Sequence, residues 1–233
     1  MKCSITTSSR ALFFTLSHNG RETDGEIAPL AGWSAESLGD VEAECRALIP
    51  LFESIEWDKH TYLDHLPDLL PSVAFGIELA LARLFDPIEI EQPEISRLLT
   101  GDSTEMQSKL PAQSAKLKVG HLSPDEARRL VLAVARHVDS LRIDCNRAWN
   151  LSEALHFAEH FPQGTFDYIE EPADSYESTC DFALKTGYPI ALDEHFRELS
   201  HEAILKTPGL KACICKPTLQ GGLRAYRAIT ASI

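Results

Sequence analysis

The chain has 233 residues, 44% hydrophobic and 24% charged, the make-up of a protein that buries one or two apolar cores and not of a disordered one. Asp and Glu number 35 against 22 Lys and Arg, a net charge of −13, and the basic residues do not cluster, which argues against nucleic-acid and anionic-membrane partners. No run reaches the ~20 consecutive apolar residues of a membrane span, and the opening MKCSITTSSR lacks the apolar stretch of a signal peptide, so a cytoplasmic protein is expected.

Residues 11 to 28 read as a hairpin turning at Asn19-Gly20. A helical pattern runs from Ser37 to about Ile55, and a second helix, opened by Pro71-Ser72, covers 71 to 85. Together they predict an α+β front section. Residues 86 to 109, with two prolines and many polar residues, read as a connection. The six cysteines, at 3, 45, 145, 180, 213 and 215, form no CxxC pair and no zinc-type spacing, so reduced, mostly buried thiols are expected, Cys213 and Cys215 among them as core residues.

Beyond residue 114 the rhythm changes. AKLKVG, LRIDCN, FDYIEEP, IALDEH and KACICKP are five short apolar strands, each followed by a helical segment. Consecutive βα units predict a parallel sheet, in a barrel or a doubly wound arrangement, and no GxGxxG or GxxxxGK[ST] fingerprint marks a nucleotide-binding version.

Every one of these strands ends in an ionisable residue: Lys118, Asp144, Glu170, Asp193 and Lys216, spaced 26, 26, 23 and 23 residues apart. Barrel enzymes place their chemistry at that end, where the strand fixes the side chain and the loop leaves it open. Alternation puts Arg142, Asp144 and Asn146 on one face and Ile143 and Cys145 on the other. Three converging carboxylates need a cation to stay ionised together, and their hard oxygens select Mg²⁺, with Mn²⁺ as a substitute. A partly buried lysine beside another cation has a depressed pKa and serves as a base, which suits proton abstraction next to a carboxylate.

The segments GEIAPLAGWSAESL, PSVAFGIELALA, AKLKVG, LRIDCNRAW, YIEEP, ALDEH and CKPTLQGG resemble the enolase superfamily and, within it, the o-succinylbenzoate synthase (MenC-like) family of menaquinone biosynthesis. The resemblance implies an enolase-type modified (β/α)-barrel with an N-terminal α+β capping domain, and a lyase performing the Mg²⁺-dependent syn-dehydration of 2-succinyl-6-hydroxy-2,4-cyclohexadiene-1-carboxylate to o-succinylbenzoate. It assigns Asp144, Glu170 and Asp193 to the metal, Glu170 being preferred to Glu171 as the first carboxylate of the EEP run and, by alternation from Tyr168, on the inner face. Lys118 is implied as the acid/base, Lys216 as its electrostatic partner opposite, Lys116 as the neighbour that lowers the pKa of Lys118, and Arg142 and Asn146 as supporting groups. Gly32, Trp33 and Ser34 fall in a loop that resembles one closing over substrate; the plainer reading is a β-to-helix connection capped by Ser34.

A complete barrel takes about 250 residues by itself. Cap and barrel in 233 residues imply a truncated fold: a capping domain over 1–100, incomplete at its start, and a partial barrel over 101–233 carrying strands two to six, the last strands missing. The partner is a small-molecule carboxylate. Racemisation of N-acyl amino acids or epimerisation of dipeptides is the alternative within the superfamily, and a non-catalytic remnant or fragment is the alternative outside enzymology.

Overall fold

The structure, a computed structural model, describes residues 1–8, 10–86, 95–100 and 110–230. The chain divides into two compact units, Met1–Glu91 with Cys215–Ile233, and Gln92–Ile214. This division differs from the expected 1–100 and 101–233, because the C-terminal segment from Cys215 groups with the front section.

The first unit is built on an antiparallel sheet of three strands, β1 (Lys2–Thr7), β2 (Leu12–His18) and β3 (Arg21–Ile27). Strands β2 and β3 are the expected hairpin, turning through Asn19 and Gly20, both at positive φ, the backbone that a two-residue turn of this hand requires. Strand β1 was not expected: its side chains alternate but stay mostly exposed, so it carries little apolar signal. Leu12, Phe14 and Leu16, two residues apart on β2, are fully buried under helix α1 (Leu38–Ser54), which presents Val41, Cys45, Leu48 and Phe52 at helical spacing. Ser37 caps α1 in a capping box with Asp40. The expected Ser34 cap is corrected: its Oγ instead accepts from Leu30 N, within the loop.

Helix α2 (Pro71–Phe85) is buried on most of its surface. It lies against β3 so closely that a Cβ on Gly25 would stand 2.1 Å from Gly76 O. Its N-terminus has no side-chain cap of its own, and Glu36 Oε1 supplies one, accepting from Ser72 N at 3.0 Å and Ser72 Oγ at 2.7 Å. The C-terminal helices α8 (Pro217–Gln220) and α9 (Gly222–Thr230) also pack on α2. Arg224 is their anchor: Nε donates to the fully buried Glu78 Oε1 at 2.6 Å, and Nη1 and Nη2 donate to the carbonyls of Leu66 and Pro67. This ion pair and the seat on α2 explain why Cys215–Ile233 belongs to the front unit.

The second unit is a six-stranded parallel sheet in the order β4 (Arg97–Leu99), β5 (Ala112–Lys118), β6 (Val138–Asp144), β7 (Tyr168–Glu170), β8 (Ile190–Leu192) and β9 (Leu210–Cys213). Sequential order with helices between is the βα pattern read from the sequence: α3 (Pro124–Ala135), α4 (Leu151–Ala158), α5 (Tyr176–Thr186), then the short α6 (Glu194–Glu198) and α7 (His201–Leu205). Two features correct the expectation. A strand, β4, precedes AKLKVG, inside the segment read as a connection; residues 87–94 and 101–109 of that segment lie outside the described residues. The β8 unit also carries two short helices where one was expected.

Leu117, Val119, Ile143, Cys145 and Ile169 are fully buried on the helix-facing side. All six thiols are free, but only Cys45 and Cys145 are buried; Cys213 is half-buried and Cys215 exposed, which corrects their reading as core residues. Among the described residues, no helix is long and apolar enough to cross a membrane.

The contact between Gly25 and Gly76 yields a stability prediction. Gly25→Ala places a methyl where backbone already lies, so β3 and α2 must separate. A loss of about 1–3 kcal/mol is expected, read as a lower urea midpoint at unchanged slope; an unchanged midpoint would contradict this packing.

Candidate active site

Parallel register brings the ionisable strand ends into one row. Lys118 pairs with Asp144, and Asp144 with Glu170, on neighbouring strands β5, β6 and β7. The row behind it holds Lys116, Arg142 and Tyr168. Neighbouring strands lie about 4.8 Å apart, so Asp144 and Glu170, both almost fully buried, are forced side by side.

Lys116 answers that repulsion. Its Nζ lies 2.6 Å from Glu170 Oε2 and 2.9 Å from Asp144 Oδ2. Burial by itself would lower the Lys116 pKa, but the hydrogen bond and charge of Glu170 and the charge of Asp144 outweigh it, and the net direction is up. Lys118 is more exposed, with 41% of its side chain accessible, and pairs with the same Asp144 Oδ2 at 3.3 Å. Glu170 is pushed to about 7 by burial first and by the Asp144 charge second, against the pull of Lys116, with Asp193 adding a smaller push in the same direction.

The loops that follow these strands are bent sharply. Asn146, Arg147 and Glu171 all adopt positive φ, a conformation that ordinary residues reach only where their surroundings impose it. Asn146 is exposed and contributes its backbone: its N–H donates to Asp144 Oδ1 at 3.1 Å. Arg142 donates through Nε to Asp167 Oδ2 at 2.9 Å and lies over the ring of Tyr168, its neighbour in the row behind Asp144 and Glu170. Asp167 is held also by Lys211 Nζ at 2.6 Å.

Glu170 and Glu171 diverge. Glu170 turns to Lys116, whereas Glu171, fully buried, accepts from the backbone N–H groups of Asp193 at 2.7 Å and His195 at 3.0 Å and meets His195 Nδ1 through its other oxygen. Asp193, buried, follows β8 and begins α6. Glu171, His195, Asp167 and Lys211 were not singled out from the sequence. The second Glu of EEP was visible there, but its partner lies 24 residues ahead, across a turn that no local pattern marks.

Lys216 and the Gly32-Trp33-Ser34 loop belong to the first unit. Lys216 Nζ stands 5.3 Å from the centre of the half-exposed Trp33 ring, its backbone N–H donates to Gln220 Oε1, and Thr218 Oγ1 donates to Ala28 O. The loop borders a cavity of about 720 Å³ whose lining includes Arg10, Leu30, Ser34 and Glu36.

Among the described residues no three His, Cys, Asp or Glu side chains stand as a ready metal-binding group, and the Lys116 ammonium lies between Asp144 and Glu170. The donors nevertheless suit a hard divalent cation. Glu170 Oε1 is buried with no hydrogen-bond partner among the described residues, and the raised pKa of Glu170 is relieved by positive charge.

The family model described as enolase C-terminal domain-like matches residues 103–232, and that described as MenC, N-terminal domain, matches residues 5–84. An o-succinylbenzoate synthase of Vibrio cholerae serotype O1 (strain M66-2) is 34% identical over 96% of this chain and 69% of its own length. Among solved structures, MenC from Desulfotalea psychrophila LSv54 superposes with a TM-score of 0.78 at 18% identity, covering 100% of this chain and 82% of that one. The o-succinylbenzoate synthase of Thermosynechococcus elongatus BP-1, solved with Mg in its active site, gives 0.72 at 22% identity over 98% and 77%.

The raised pKa of Glu170 sets a pH dependence. The folded protein keeps this proton up to about 7, against an ordinary value of 4.5, so between the two the native state binds more protons than the unfolded state and stability falls as pH rises. In metal-chelated buffer the urea midpoint is expected to fall from pH 4.5 to 7, and Glu170→Gln to flatten that fall; an identical slope in the variant would refute the assignment.

Proposed function

Since the chain belongs to the o-succinylbenzoate synthase (MenC) family of the enolase superfamily, we propose that it is a lyase that dehydrates 2-succinyl-6-hydroxy-2,4-cyclohexadiene-1-carboxylate to o-succinylbenzoate in menaquinone biosynthesis. The observation that carries the site assignment is the row Lys118, Asp144, Glu170, held in register across three strands with a lysine at its open end.

Asp144, Glu170 and Asp193 are the residues to hold Mg²⁺, with Mn²⁺ as a substitute. When bound, the cation supplies positive charge where negative charge develops on the substrate carboxylate. Lys118, the more accessible of the two β5 lysines, takes the ring proton next to that carboxylate. The same ammonium then gives a proton to the hydroxyl on the neighbouring ring carbon, which leaves as water from the same face. One proton and one hydroxide are lost, and the ring becomes aromatic.

Lys116 has a different task. With its charge shared between two carboxylates it does not turn over a proton; it offsets the repulsion between Asp144 and Glu170 and orients them. Lys216, carried by the first unit, is assigned the role of electrostatic partner for the developing negative charge. The Gly32-Trp33-Ser34 loop is assigned to substrate closure, and the indole of Trp33 holds the Lys216 side chain by its face. Arg142 and Asn146 support the site from behind, the first by fixing Asp167 and the second by its amide on Asp144.

Lys118→Ala is expected to abolish o-succinylbenzoate formation in Mg²⁺, a loss of at least about 10³-fold in kcat, while leaving Mg²⁺ binding intact. Chelation of divalent ions is expected to abolish activity of the parent protein, with Mg²⁺ restoring it. Both are followed by absorbance of the aromatic product; substantial turnover by Lys118→Ala would overturn the assignment.

A further inference from the structure

A carboxylate that begins a helix is ordinarily spent on that helix. Asp at the N-cap accepts a hydrogen bond from the backbone two or three residues on. Asp193 occupies the N-cap position of α6, yet its side chain makes no cap bond. The N–H groups at this helix start are met by Glu171: its Oε1 accepts from Asp193 N at 2.7 Å and from His195 N at 3.0 Å. Glu171 reaches them because its backbone turns into the positive-φ region one residue after Glu170, which sends the two consecutive carboxylates to different places. Its other oxygen is locked by His195 Nδ1, and the His195 ring packs at a tilt against Tyr176, whose hydroxyl donates to Ala203 O. Glu171 is fully buried and His195 is 3% exposed, so no solvent competes for these bonds.

We infer that Glu171, locked by His195, is a positioning residue that caps α6 in place of Asp193 and so keeps the Asp193 carboxylate for the cation. The inference rests on the assignment of Asp193 to Mg²⁺ made above. A buried partner that orients a ligand typically matters by 10- to 100-fold in metal affinity.

The test is Mg²⁺ affinity by titration calorimetry on the full chain, with backbone amide exchange of Asp193 and His195 measured in metal-free protein. Glu171→Ala is expected to weaken Mg²⁺ binding at least about tenfold and to speed exchange at both amides. Glu171→Gln keeps an oxygen for the two N–H groups, and its amide nitrogen meets His195 in the other tautomer; it is expected to stay within about threefold of the parent. A folded Glu171→Ala with parental affinity overturns the inference, as does a Glu171→Gln that loses as much as the alanine variant. Should Glu171→Ala not fold, His195→Ala, which keeps the carboxylate but removes its lock, is expected to weaken Mg²⁺ binding with an unchanged circular dichroism spectrum, and parental affinity there overturns the inference. Asp193→Ala separates the two readings: parental affinity in that variant removes the metal assignment and this inference with it, whereas loss there without loss in Glu171→Ala removes only the capping role.

Discussion

Two carboxylates on adjacent strands, both shut off from solvent, are the constraint around which the second unit is arranged. Parallel pairing of β6 with β7 leaves Asp144 and Glu170 as direct neighbours, and at about 5 Å two like charges repel by about 3 kcal/mol even at an effective dielectric of 20. A fold selected for stability alone would replace such a pair with apolar side chains, which commonly costs nothing. Here the repulsion is retained and offset by an ammonium from the row behind, while part of Glu170 stays unmet. The arrangement is therefore one in which an added cation gains more than it would on an ordinary surface.

Capping from a distance recurs in the molecule. Helix α2 begins at Leu70 with nothing of its own to offer, and Glu36, reaching across 36 residues, satisfies Ser72. Helix α6 begins at Asp193, and Glu171 satisfies it from the end of β7. In both cases a buried carboxylate ties the start of a helix to a segment that carries candidate function. Glu36 ends the stretch bearing Gly32, Trp33 and Ser34, and the same helix α2 grips the segment bearing Lys216 through Glu78 and Arg224. Within the first unit, α2 is thus the common support of the exposed tryptophan and the lysine beneath it.

How much of this was legible in the chain follows from the range over which each signal acts. Lys118, Asp144 and Glu170 could be placed in one row because strand alternation and the recurring length of a βα unit are both written locally. The hairpin at Asn19-Gly20 and the helical pattern running on from Ser37 were equally local. Strands β1 and β4 were not legible: one is exposed and largely polar, the other three residues long, and each exists only because a neighbour supplies its hydrogen bonds. The union of Cys215–Ile233 with the front section depends on Arg224 meeting Glu78 across 146 residues, a pairing no pattern announces. The choice of Glu170 over Glu171 rested on alternation and resemblance, and the reason for the second Glu lay in a helix start 22 residues further on.

The two lysines of AKLKVG show where a correct pattern led to an incomplete physical account. Like charges on one strand face suggested that Lys116 acts on Lys118 by repulsion. The geometry places Lys116 against Asp144 and Glu170 instead, and its own pKa moves up. Its influence on Lys118 runs through Asp144: both ammoniums address the same Oδ2, Lys116 at 2.9 Å and Lys118 at 3.3 Å. An anion already neutralised by one lysine holds the second less firmly, and the second has 41% of its side chain in solvent against 22% for the first. A base must be able to leave its counter-ion, approach a carbon acid and return. Of the two, only Lys118 has a contact weak enough, and a side chain open enough, to do so.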